Sequence, residues 1–219
     1  VSGRGDTGFW LTADMMLQAY ANGIFPMAQS ADADDLYWVD PRERGILPLD
    51  GFHMSRSLRK TILRGDYEVR TDTAFDAVVA ACADRPETWI NPDLHRLYRD
   101  LHRMGFAHSV EVWEDGTLAG GLYGIALGGL FCGESMFSRR RDGSKIAMAW
   151  LVARLNAGGF ALLDTQFLTD HLESLGGIEV PRARYQALLA PALDRAADWS
   201  ALSDEATPQE VVQLSTQTS

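Results

Sequence analysis

Cysteine is nearly absent from this chain: Cys82 and Cys132 are the only two in 219 residues, far apart and without a Cys-x-x-Cys pair. That excludes a disulfide framework and a thiolate zinc site, and a reducing compartment, the cytoplasm, is expected. The histidines, His53, His95, His102, His108 and His171, show neither an HxxxH nor a Cys/His ligand spacing, so no metal and no other cofactor is expected. No apolar run reaches the roughly 18 residues of a membrane span, and the first residues lack a signal peptide's basic-then-apolar order. Internal repeats are missing too. Positive charge is short, with 20 Lys plus Arg against 30 Asp plus Glu and a net charge of −10. This speaks against coating of nucleic acid by the whole surface. Screening confines electrostatics to about 8–10 Å, so a local basic site stays open.

Core-forming material is plentiful. At 46% hydrophobic residues the chain can build one moderate domain, or one domain with a small appendage. Residues 1–8 are Gly-rich and are expected to be disordered. Thr12 can cap a helix over 11–23 that carries Met16, Leu17 and Tyr20 on one face and stops at Asn22-Gly23. Pro26 fixes an apolar turn, 36–39 is a short strand candidate, and a soft boundary falls near residue 42. The expected organisation is a small N-terminal domain, 1–42, and a main domain, 43–219, with a polar, frayed tail from about 203. Ser55 caps the next helix, SRSLRKTILR, which Gly65 ends. Its Arg56, Lys60 and Arg64 recur every four residues with Arg59 beside them. The stripe is either a solvated face or a phosphate-contacting one.

Strands are expected at 67–71, 108–113, 118–127, 130–136 and 160–166. Asp72 is read as the cap of a helix bearing Phe75, Val78, Val79 and Cys82, and Leu94, Leu97, Tyr98 and Leu101 mark another. Val110 and Val112 alternate with Ser109, Glu111 and Trp113 as in a half-buried strand. Asp115-Gly116 signals a hairpin, and Gly158-Gly159 closes a helix through Ile146, Ala149, Trp150 and Ala153. Pro181 starts a last helix.

Chemistry points to three residues. Asp164 and Gln166 lie two apart on a strand and so share a face, and Glu134 sits amid apolar neighbours. Each also has a bland reading: the first two could satisfy loop amides, and Glu134 could pair with an arginine. Cys132 reads as a small core residue rather than a nucleophile.

The element order from Tyr67, β-α-α-β-β-β-α-β, gives an α+β (mixed α/β) chain with helices on both faces of a mixed sheet. It resembles the GNAT superfamily of N-acyltransferases. The motifs GIFPM, YWVDPRERGILPLD, FHMSRSLRK, TWI, HSVEVW, GGLYGIALGGLFCGESMFS, LLDTQF, HLESLGG and EVPRARY stand in one order across 11–185. With them the chain resembles the leucyl/phenylalanyl-tRNA–protein transferase family. The resemblance implies a GNAT-like catalytic domain behind a small N-terminal domain. It also implies transfer of Leu and Phe, with Met as a further candidate, from aminoacyl-tRNA to proteins with N-terminal Arg or Lys, as in the N-end rule, without a cofactor. Residue by residue, it assigns catalysis to Asp164, Gln166 and Glu134, and the aminoacyl side-chain pocket to Leu122, Phe131, Met136 and Leu163. It assigns tRNA contact to Arg56, Arg59, Lys60, Arg64, Trp89 and position 27. Met27 stands where the better-known branch has Trp, and Leu122 replaces a Met. Two rivals remain: an acyl-CoA-dependent acetyltransferase, for which Arg140 to Lys145 supplies only part of a pyrophosphate loop, and a non-catalytic tRNA-binding adaptor.

Overall fold

The computed structural model describes residues 11–33 and 35–216. The expectation for residues 1–8 lies outside them. Helix α1 (Ala13–Ala21) begins where Thr12 Oγ1 accepts from the Met15 amide and ends at Asn22, with Gly23 at φ 77°. The hairpin of β1 (Phe25–Ala28) and β2 (Leu36–Val39) forms a two-stranded sheet of its own. After it come β3 (Glu43–Ile46), α2 (Arg56–Arg64), β4 (Glu68–Thr71), α3 (Phe75–Ala83) and α4 (Pro92–Arg103). The antiparallel run β5 (Ala107–Glu114), β6 (Thr117–Leu127) and β7 (Leu130–Ser138) is followed by α5 (Gly143–Ala157) and β8 (Leu162–Gln166). Short α6 (Asp170–Glu173), β9 (Ile178–Pro181), α7 (Arg182–Leu193) and α8 (Pro208–Ser215) complete the order.

One seven-stranded sheet, in the order β4-β5-β6-β7-β8-β3-β9, organises the described residues. The five expected strands are β4 to β8 of this sheet. The Asp115-Gly116 turn takes φ 50° and 72°, the conformation that the β5–β6 hairpin needs. Apolar clusters cover the two faces. One gathers α3, α4 and α7 with Met16, Tyr20 and Phe25 of the N-terminal segment; the other gathers α5, α2 and α8. Helix α5 is buried almost all round, from Ile146 to Leu155, so its expected one-sided stripe is only part of what it hides.

Four readings are corrected. Asp72 does not cap α3: its carboxylate accepts from Ser109 N and His108 Nδ1, both at 2.8 Å. The Ala74 amide goes instead to Glu111 Oε1 at 2.7 Å, across from the sheet. Strand β5 is not half-buried, since Ser109 and Glu111 are as inaccessible as Val110 and Val112. Glu111 is tolerated there because Ser109, Trp113 and Ala74 donate to it. The tail from 203 is not simply frayed: Thr207 and Glu210 form a capping box, and Val211 and Val212 bury against α5 and α2. Finally, β3 and β9 join the main sheet, although neither was expected as a strand.

Candidate active site

Strands β7 and β8 are the parallel pair, and their ladder runs only from Leu130–Leu162 to Cys132–Asp164. On the other side of β7 the register slips: Gly124 faces Gly133 while Tyr123 faces Ser135, so Glu134 is the extra residue of a β-bulge. A bulge bends the strand and re-aims a side chain. Gly124 makes it possible, because a Cβ there would lie 2.2 Å from the Cys132 carbonyl oxygen. The chain also turns sharply at the end of β8, where Gln166 has φ 59°. A non-glycine residue holds that conformation only when its surroundings enforce it. Two features do so. The Gln166 amide donates to Asp164 Oδ1 at 2.9 Å, and the backbone of Phe167 and Leu168 passes within 2.7 Å of where a Gly45 side chain would start.

Asp164 is fully buried, and Arg44, 2% exposed, holds it. Arg44 Nε donates to Oδ1 at 2.9 Å and Nη2 to Oδ2 at 2.6 Å, while Nη1 reaches the Gly23 carbonyl at 2.7 Å. The guanidinium lies between the rings of Phe25, 4.6 Å away, and Tyr185, 4.5 Å away. Tyr185 Oη adds a hydrogen bond to Oδ2 at 2.8 Å. Burial opposes the Arg44 charge, but the Asp164 carboxylate outweighs it and holds the guanidinium pKa above its usual value. Asp164 therefore aims Gln166 through the backbone rather than through the side-chain amide.

The Gln166 side chain is satisfied when its nitrogen donates to the carbonyls of Gly133, at 2.8 Å, and Thr165, at 3.1 Å. This bridges the parted strands. In that orientation the amide oxygen faces Glu134 Oε1 at 3.5 Å. Among the described residues Glu134 forms no ion pair with an arginine. Tyr98 Oη donates to Oε2 at 2.7 Å, and Tyr20 Oη lies 3.5 Å from Tyr98 Oη. Burial pushes the Glu134 carboxyl up to about 7, against the lowering effect of the Tyr98 and Tyr20 hydroxyls. Cys132 has its thiol pushed well up, by burial first and by Asp164 next, which suits an inert core residue.

Glu134 and Gln166 open on a cavity of about 270 Å³. Leu122, Met136 and Leu163 line it, joined by Met148, Leu151 and Leu172, and Trp89, Met27, Phe25 and Phe167 add to its wall. Phe131 does not reach it: fully buried, its ring stacks on Trp199 with centroids 5.4 Å apart. The side chains of Arg56, Arg59, Lys60 and Arg64 are exposed on α2, away from this cavity, and Arg64 pairs with Asp66. The N-terminus of α5 is not an open phosphate cradle. The Gly143 amide bonds Arg140 O at 3.2 Å, the Ser144 amide bonds Ser138 Oγ at 3.2 Å, and Gly143 packs against Gly120.

Two family models match the chain: the leucyl/phenylalanyl-tRNA protein transferase over residues 46–190, and its N-terminal domain over 10–42. The chain belongs to this family. A leucyl/phenylalanyl-tRNA–protein transferase of Ruegeria sp. (strain TM1040) is 58% identical over 209 residues, covering 95% of this chain and 99% of the relative. Another of that description, from Paramagnetospirillum magneticum, is 60% identical over 187 residues, 84% of this chain and 90% of the relative. A third, from Rhizorhabdus wittichii, is 61% identical over 184 residues, with 82% and 74% covered. Membership makes the chain an aminoacyltransferase with the family's mixed sheet and N-terminal unit. No described helix is long and apolar enough to cross a membrane.

Sequence reasoning missed Arg44, Tyr185, Tyr98 and Tyr20 as site residues. Arg44 carried one available signal: a cation in a short run that ends Gly-Ile-Leu-Pro-Leu.

Proposed function

We propose that this chain transfers Leu or Phe, and also Met, from aminoacyl-tRNA to the α-amine of proteins that begin with Arg or Lys, tagging them for N-end-rule degradation. The observation that carries the reading is the pairing of two acceptor oxygens, of Glu134 and Gln166, with an apolar cavity. An amine has N–H groups for two acceptors, and the apolar walls suit a hydrocarbon side chain. The relatives' description supplies the substrate class.

The donor is already an ester, so the task is alignment, which is worth about 7–11 kcal/mol at best. The acceptor amine, with a reference pKa of about 7.7–8, has a useful neutral fraction near neutrality. Gln166 Oε1 accepts one of its N–H bonds and aims the lone pair at the ester carbonyl, and Glu134 holds the amine from the other side. Attack forms the C–N bond, the bond from carbonyl carbon to the 3′ oxygen breaks, and the leaving oxygen takes up the proton that nitrogen loses. Asp164, neutralised by Arg44, positions the Gln166 backbone. Leu122, Met136 and Leu163 surround the transferred side chain. Trp89 and Met27 face the terminal adenosine, and Arg56, Arg59, Lys60 and Arg64 contact phosphates further along the tRNA.

An acyl-CoA reaction has less support, because the first amides of α5 are spent within the protein. The deciding experiment is release of leucine from Leu-tRNA dependent on an Arg-starting peptide. Transfer to that peptide, and none to an Asp-starting one, supports the proposal. Release without peptide, or acetyl transfer from acetyl-CoA, overturns it.

A further inference from the structure

Most polar groups around the cavity are accounted for. Thr169 Oγ1 accepts from the Leu172 amide at 3.3 Å, and Arg85 donates to the Met136 carbonyl at 2.9 Å. Glu134 takes the Tyr98 hydroxyl, and the Gln166 nitrogen is engaged by two carbonyls. Two buried atoms of cavity-lining residues have no partner among the described residues: Thr165 Oγ1 and His171 Nε2. The third such atom among the described residues, Tyr123 Oη, belongs to a residue off the cavity. Thr165 is only 9% exposed. It stands two residues from Leu163 on the same face of β8, and its own carbonyl clasps Gln166. His171 neighbours Leu172 on α6. Burial, and after it the Lys145 charge, lower its pKa and favour the neutral ring.

A buried hydroxyl and a buried imidazole nitrogen left unpaired are costly, and because both residues line the cavity, a turn of either side chain can bring its polar atom to a ligand's polar atom. Leu and Phe side chains have none. The donor's other end does: an ester carbonyl and ribose hydroxyls, which lie beside Gln166 because that is where the amine attacks.

We infer that Thr165 and His171 hydrogen-bond the ester-and-ribose end of the aminoacyl donor and hold its carbonyl in front of the amine. The inference rests on the transfer reaction proposed above. It makes the two residues donor-positioning groups, distinct from the amine-facing pair of Gln166 and Glu134.

The test is transfer of Leu from Leu-tRNA to an Arg-starting peptide by the full chain, with Thr165→Val, Thr165→Ser, His171→Leu and His171→Gln. Thr165→Val keeps the shape and removes the hydroxyl. It is expected to lower kcat/KM for the donor about ten- to a hundredfold, leave the peptide KM in place, and recover in Thr165→Ser. His171→Leu should behave alike, with partial recovery in His171→Gln, which retains a polar atom near Nε2. A donor ending in 2′-deoxyadenosine separates the contacts. If Thr165→Val then has no further effect, the bond goes to the ribose; if its effect persists, the bond goes to the ester, and either result supports the inference. Values within twofold of wild type in Thr165→Val and His171→Leu, with thermal melting intact, overturn it. So does a penalty that changes with whether Leu or Phe is carried, since that places both atoms in the side-chain pocket. A wild-type chain that transfers nothing from Leu-tRNA would remove the underlying reaction instead, and the inference with it.

Discussion

Arg44 and Asp164, 120 positions apart, meet in two parallel hydrogen bonds of 2.9 and 2.6 Å, and both side chains are cut off from solvent. Removing one partner of a buried pair strands the other charge, at about 3–5 kcal/mol. Arg44→Met is therefore expected to lose stability of that order in urea unfolding. Arg44→Met with Asp164→Leu should recover a good part of it, though not activity. A single variant as stable as wild type would contradict the pairing.

Glu134 has the clearest pH signature. Its folded pKa of about 7 stands above the ordinary 4.5. Folding thus favours the protonated carboxyl: that contribution is complete below the ordinary value and is lost as pH rises through about 7. Glu134→Gln should accordingly melt higher than wild type at pH 8, with the gap closing in acid. Ionised Glu134 is the form that binds an amine, so kcat/KM for an Arg-starting peptide should climb through about pH 7 in the wild type. Glu134→Gln should remove the break near pH 7 and leave only the rise from the amine's own titration at about 7.7–8, while sparing donor affinity.

Gln166→Ala is expected to lower the single-turnover rate about 10²–10³-fold, the scale of one preorganised contact, with tRNA affinity largely kept. Asp164→Asn weakens both the Arg44 pair and the Gln166 turn, so its rate is read only beside its unfolding curve. The double variant should be little worse than the poorer single one, because the two act as one arrangement. Near-wild-type rates in both single variants would make the pair structural.

On α2, Arg56→Ala with Lys60→Ala is expected to weaken aminoacyl-tRNA binding and flatten its dependence on salt, by a slope of about 0.7–0.9 per lost phosphate contact. Stability should hardly move, since both side chains are exposed. Equal slopes in a filter-binding titration from low to high salt would return this face to ordinary solvated surface.

Much of the fold was readable because its signals are local. Ser55 capping α2, the Asp115-Gly116 turn and Asn22-Gly23 act within a few residues of themselves. The site was readable in identity but not in arrangement. Nothing near position 164 announces that its partner is Arg44, because the pair forms only when β3 is laid between β8 and β9. β3 and β9 are four residues each and have no clean alternation, so their pairing is a tertiary decision. α8 hid in a polar tail because only Val211, Val212 and Ser215 turn inward. The Asp72 cap failed because Glu111, distant in sequence, reached the same amide group first.

The extra residue at Glu134 has a consequence for how this chain can change. The carboxylate is presented by a counting mismatch between two strands rather than by a loop, so the site is sensitive to length as well as to identity. Deleting one residue there would let β6 and β7 pair without interruption, a repair as far as the sheet is concerned. Ser135 would stay opposite Tyr123 and Met136 opposite Leu122, so the cavity wall would survive while the one carboxylate that the mismatch presents is lost. Substitutions can drift at this site one at a time, but its spelling has a fixed reading frame.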